Sequence, residues 1–124
     1  MEEIITRKYL IDNPNHIFVF GDNLIRKGYG GAAKLRGLPN SYGFVTKKYP
    51  NNNDESFYTP DEYHDIYQRE MDALRGLMLV NKDVIYLISK LGAGLANRYN
   101  IFEKIIEPNI REDLSMFENK RFLW

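Results

Sequence analysis

The chain alternates short apolar runs with polar, turn-rich stretches. Ile17-Phe18-Val19-Phe20 is continuous and β-rich, which predicts a buried strand over residues 16–20. Ser41-Tyr42-Gly43-Phe44-Val45-Thr46 predicts a second central strand that delivers Lys47 and Lys48 at its end. Val84-Ile85-Tyr86-Leu87-Ile88 is unbroken enough for a strand buried on both faces. Residues 121–124 read as a last strand. Between the second and third of these, Tyr63, Ile66, Tyr67, Met71, Leu74, Leu77 and Met78 recur every three or four positions. That spacing is one face of a helix laid on a sheet. Its start is the sharpest local signal in the chain: Thr59 caps, Pro60 fits the first helical position, and Glu62 completes a capping box. Asn81-Lys82-Asp83 ends it.

Other segments carry weaker patterns. Residues 2–11 mix charge with Ile4, Ile5, Tyr9, Leu10 and Ile11, which fits an edge strand or a short lead-in. Asp12-Asn13-Pro14-Asn15 is a turn by composition, and Gly21-Asp22-Asn23 reads as a turn closing the first strand. A short helix is expected around residues 32–36, closed by Gly37. Residues 51–56 form a polar loop with no period, suited to the rim of a site. Asn100 is placed to cap a further helix, with Glu103 three residues on and Pro108 breaking it. Strands alternating with helices define an α/β protein with a largely parallel central sheet.

The totals narrow the picture. The 124 residues fit a single domain over 1–124, and 17 basic residues balance 17 acidic ones. No overall field therefore draws the chain to nucleic acid or membrane. With no cysteine, disulfides, thiolate nucleophiles and cysteine-bound zinc are excluded. The two histidines, His16 and His64, are too far apart in sequence to suggest a metal set, so neither metal nor cofactor is expected. Met1-Glu2-Glu3-Ile4-Ile5 carries acid where a signal peptide needs base, and the expected location is cytoplasmic.

The candidate chemistry lies in two loops that each follow a predicted strand. Residues 28–33, Gly-Tyr-Gly-Gly-Ala-Ala, leave the backbone nearly bare. A bare backbone approaches a ligand closely and presents N–H groups to an anion such as a phosphate or sugar-phosphate. Tight strand–helix packing would use the same composition. Residues 91–95, Leu-Gly-Ala-Gly-Leu, form the second loop. Both loops should lie at the carboxyl edge of the sheet, where open α/β sheets bind ligands.

Gly28-Tyr29-Gly30, Thr46-Lys47-Lys48, Tyr63 and Leu91-Gly92-Ala93-Gly94-Leu95, in that order, resemble a macro domain. The pattern is similar to the branch containing the terminal ADP-ribose protein glycohydrolase, and to small macro-like proteins of bacteria and phages. The likeness spans residues 16–107. It implies a three-layer α/β/α fold around a mixed, largely parallel sheet, and a cleft for ADP-ribose or a related nucleotide. Gly28, Gly30, Gly31 and Ala32 would then surround the distal ribose, with Gly92, Ala93, Gly94 and Leu95 around the diphosphate. Asn23 would bond a ribose hydroxyl or simply shape a turn, and Tyr29 or Tyr99 would cover a ring or pack at the surface.

In that branch a lysine at the end of the Thr-Lys-Lys strand attacks the anomeric carbon, and Lys47 and Lys48 both match it. Only one of them can face the pocket, because side chains alternate along a strand. The assisting aspartate of that branch falls on Ala96, leaving Asp22 or Asn97 as candidates for its role. The resemblance thus implies either hydrolysis of an ADP-ribosyl linkage on a macromolecule or binding without turnover. An interaction protein with purely structural glycine loops is the remaining alternative.

Overall fold

A computed structural model describes residues 2–124, so Met1 of the acid-rich N-terminus lies outside the described residues. Four strands, β1 (His16–Asn23), β2 (Ser41–Lys47), β3 (Ile85–Ile88) and β4 (Lys120–Phe122), pair in the order β2-β1-β3-β4. Every pairing among these four strands is parallel, and an isolated antiparallel bridge joins Lys47 to Phe57. The expectation of a mixed sheet is corrected here: no connection is a hairpin, and each is a crossover that returns the chain in the same direction.

Strand alternation builds two cores. Val19, Phe44, Tyr86 and Ile88 face helix α2 (Pro60–Val80), which buries Tyr63, Tyr67, Met71, Leu74 and Met78 against them. Residues 101–117 extend the same layer with Ile101, Phe102, Ile106, Ile110, Leu114 and Phe117. On the other face Phe18, Phe20 and Leu87 meet Leu10, Ala33, Leu35 and Leu123. Both faces are therefore covered, as a parallel sheet requires.

Five local expectations change, the first being that β2, expected as a central strand, lies at one edge of the sheet. Residues 7–12 form a helix, α1 (Arg7–Asp12), and not an edge strand, because Thr6 accepts a hydrogen bond from Tyr9 N at 3.1 Å and caps it. Gly21-Asp22-Asn23 is the end of β1 and not a turn: Gly21 pairs with Phe44 and Asp22 with Val45, and a bulge follows. The helix expected around 32–36 shrinks to a 3-10 turn at Gly31–Ala33. Asn100 does not cap the next helix; it sits at φ 65°, while Asn97 Oδ1 takes Phe102 N and Asn97 Nδ2 donates to Glu103. That segment, Phe102–Ile106, is wound as a π-helix, and a short α3 (Ile110–Asp113) follows Pro108.

The α2 start is as the pattern predicts. Thr59 Oγ1 accepts from Glu62 N at 3.3 Å, and Glu62 Oε1 accepts from Thr59 N at 3.0 Å. Lys48, bonded to Glu62, and the Thr59 amide hold the Glu62 carboxyl below its ordinary pKa. Thr59→Ala is expected to cost about 1 kcal/mol, read as a lowered urea midpoint with unchanged slope. Glu62's share of the cap persists above the ordinary carboxylate range and fades as pH falls through the depressed value. Among the described residues, no helix is long and apolar enough to cross a membrane.

Candidate functional site

The connections leaving β1 and β3 run to opposite faces of the sheet. Residues after β1 join the Phe18 core through Ala33 and Leu35, whereas residues after β3 join the α2 core through Ile101 and Phe102. Between two neighbouring parallel strands, such divergence opens a crevice at their carboxyl ends. A cavity of about 760 Å³ lies there, lined by both glycine loops. A Cβ built on Gly31 would touch Leu95 Cδ1 at 3.4 Å, so the loops meet across it.

The first loop contributes Gly28, Gly30, Gly31 and Ala32, and the second Gly92, Ala93, Gly94 and Leu95. Their glycines differ in physical need. Gly28, Gly31 and Gly92 have φ of 90°, 54° and 78°, a region that other residues adopt only with strain. Gly30 has φ −84° with nothing within 4 Å of an added Cβ. Neither backbone conformation nor packing requires glycine at 30, and the position is exposed at the cavity lining. Tyr29 is 66% exposed and does not line it.

Of the two candidate lysines the cavity receives Lys47. Its Nζ donates to Asn51 O at 2.9 Å and stands 4.8 Å from the centre of the Phe57 ring. Arg98 stacks on the same ring at 4.1 Å. Partial burial, then the Arg98 charge, lowers the Lys47 pKa from its ordinary value. Lys48 points away: its Nζ donates to Glu62 Oε2 at 2.7 Å. Lys47 is the last residue of β2 and Lys48 lies just past it, where the chain bends.

Asp22 reaches the cavity wall with its carboxylate already engaged. Oδ1 accepts from Asn23 N and from Arg36, and Oδ2 accepts from Arg26 at 3.1 Å. Its side chain is 2% exposed, so this is a charge held by two guanidiniums and not an open acid or base. Asn23 is similarly occupied, its amide donating to Lys27 O at 2.8 Å and accepting from Ile25 N. The Asn23 side chain thus shapes the turn after β1. Tyr99 is outside the cavity lining, while Ala96 stands within it as a small, buried wall residue.

Sequence reasoning passed over Arg26 and Arg36, which neutralise Asp22, and Arg98, which shares a ring with Lys47. It also passed over residues 2–5, which close one side of the cavity. The one available signal was Gly43, a glycine inside an otherwise β-rich run. Lys27, Lys34, Lys47 and Lys90 all line the cavity. The lysines that pair with carboxylates, Lys8 and Lys48, lie outside it. With Asp22 paired to two arginines, the lining lysines supply the positive charge of the cleft, while Glu2 and Glu3 line its other side. His16 Nδ1 meets the Tyr9 hydroxyl at 2.8 Å and His64 lies exposed on α2; among the described residues no acidic or histidine cluster is arranged for a metal.

Comparison with known proteins adds a family. Residues 1–100 match the family described as a family of unknown function (DUF7831). The chain belongs to DUF7831. No curated protein and no solved structure matches it. The region matched to DUF7831 contains both glycine loops and Lys47, and it stops before α3 and β4.

Proposed function

We propose that this protein is a macro-type domain whose cleft binds ADP-ribose or a related nucleotide. The observation that carries the reading is the joining of two bare-backbone loops, each after a central parallel strand, around one cavity with Lys47 in its wall. Backbone N–H groups and unpaired ammonium groups are what a diphosphate demands. A volume near 760 Å³ lies within the usual range of about 300–1,000 Å³ for small-molecule sites. Gly30 weighs against purely structural loops, since neither its φ nor its surroundings need a glycine.

Calorimetry with ADP-ribose tests the reading directly; no heat and no thermal shift at millimolar ligand would refute it. Gly30→Val is expected to weaken binding at least about tenfold by filling the cleft, with little change in melting temperature. Lys47→Ala is expected to weaken it by about tenfold through loss of a charged contact, whereas Lys48→Ala leaves it within about twofold.

A second reading, cleavage at the distal ribose with Lys47 as nucleophile, is favoured by the lowered pKa of that amine. Incubation with ADP-ribosylated protein separates the two. Turnover that survives Lys47→Ala would end the nucleophile assignment, and absence of turnover with intact binding leaves a binding module.

A further inference from the structure

The cavity is longer than its two loops require. It runs past the carboxyl ends of the strands in spatial order: Thr46 and Lys47 at β2, Asp22 and Asn23 at β1, Ser89 and Lys90 after β3. It continues to residues 2–5, which lie beside the end of β4 because Glu3 N donates to Leu123 O at 2.6 Å. Three strand spacings make this a span of about 14 Å, well beyond a single phosphate or sugar.

The two ends differ in chemistry. At β2 stand Lys47 and bare backbone. Beside β4 stand Ile4, Ile5 and the carboxylates of Glu2 and Glu3. Ile5 packs on the cluster of Phe18, Leu35 and Leu123, which gives this end an apolar floor. No lysine of the lining stands among residues 2–5, Glu3 is already paired with Arg121, and an apolar floor suits a flat, uncharged ring. The segment itself is lightly held: Glu3 has its backbone bond to Leu123 and an ion pair with Arg121 at 2.9 Å, while Ile4 is 87% exposed.

We propose that residues 2–5 form a second subsite, which takes the uncharged base of the ligand and thereby sets its direction along the cavity. The inference rests on the nucleotide reading above. In this arrangement the base lies beside β4 and the phosphates cross the ends of β1 and β3. The distal sugar then reaches Lys47.

Three probes separate the ends: ribose 5-phosphate, ADP and ADP-ribose, titrated into the full chain by calorimetry. Ile5→Ser is expected to weaken ADP and ADP-ribose about tenfold and to leave ribose 5-phosphate within about twofold. Lys47→Ala is expected to weaken ADP-ribose and ribose 5-phosphate, with a smaller effect on ADP. A measurement on the unaltered protein guards against misfolding of the Ile5 variant. Hydrogen exchange at residues 2–6 should slow with ADP and ADP-ribose and stay unchanged with ribose 5-phosphate. Unchanged exchange there under saturating ADP, or equal losses for all three probes in Ile5→Ser, would overturn the subsite while leaving nucleotide binding intact. If ADP-ribose does not bind the unaltered chain, the nucleotide reading fails first and the subsite falls with it.

Discussion

Gly43→Ala is expected to destabilise the fold by about 3 kcal/mol or more, a large effect for one methyl group. A Cβ at 43 would fall 2.8 Å from Asp22 Cγ and 2.9 Å from Asp22 Cβ, with Oδ2 closer still. Asp22 cannot yield cheaply, because Arg36, Arg26 and the Asn23 amide hold its carboxylate in place. Arg26 also donates to Gly43 O at 3.1 Å, so moving either strand breaks a further bond. The mechanism has a specific signature in a double-mutant cycle followed by urea denaturation. Asp22→Ala alone is expected to cost about 3–5 kcal/mol, since it strands the Arg36 guanidinium, whose side chain is only 14% exposed. With that change in place, Gly43→Ala should cost less than about 1 kcal/mol, because the space is vacant. Simple additivity would show that the glycine is needed for some reason other than the carboxylate.

Gly92→Ala is expected to cost about 2–4 kcal/mol and, on the proposed reading, to abolish nucleotide binding. Two independent causes act there. The residue sits at φ 78°, and a Cβ would meet Ile106 Cδ1 at 2.5 Å. Ile106→Val removes that carbon, so in this background the cost should fall to the backbone strain alone, about 1–2 kcal/mol. Binding should not return with it. In the proposed site the strain would shift the backbone N–H groups of Gly94 and Leu95 whether or not the collision is relieved, Ala93 N already donating to Lys90 O. Recovery of ADP-ribose affinity in the double variant would show that the loop's backbone does not hold the ligand.

These two glycines mark how legible the site was. Gly92 belongs to a recognisable glycine loop. Gly43 looked like an ordinary interruption in a strand, because its partner carboxylate is 21 positions away and becomes its neighbour only when β1 and β2 align. Asp22 was misread for the same reason. Beside Gly21 and Asn23 its composition says turn, yet pairing with Val45 keeps it in the strand and two distant arginines make its burial tolerable. Residues 2–11 were ambiguous because their apolar positions fit neither period cleanly. The Thr6 cap and the burial of Leu10 against Phe18 and Leu123 made a helix of residues 7–12 alone, leaving 2–6 outside it.

Elements whose evidence is local were therefore determined by sequence alone. The apolar runs of β1, β2 and β3, the periodic face of α2 and its capping box need only neighbours within a few positions. The alternation of strands and helices, and with it the α/β class, follows from them. Tertiary structure alone decided that the sheet is parallel throughout, that the crossovers after β1 and β3 part to opposite faces, and that Lys47 and not Lys48 enters the cavity. It also decided that residues 2–5 close the far end of that cavity. Each depends on which segments become neighbours in space, set by the packing of both sheet faces at once, and no short window of sequence contains that information.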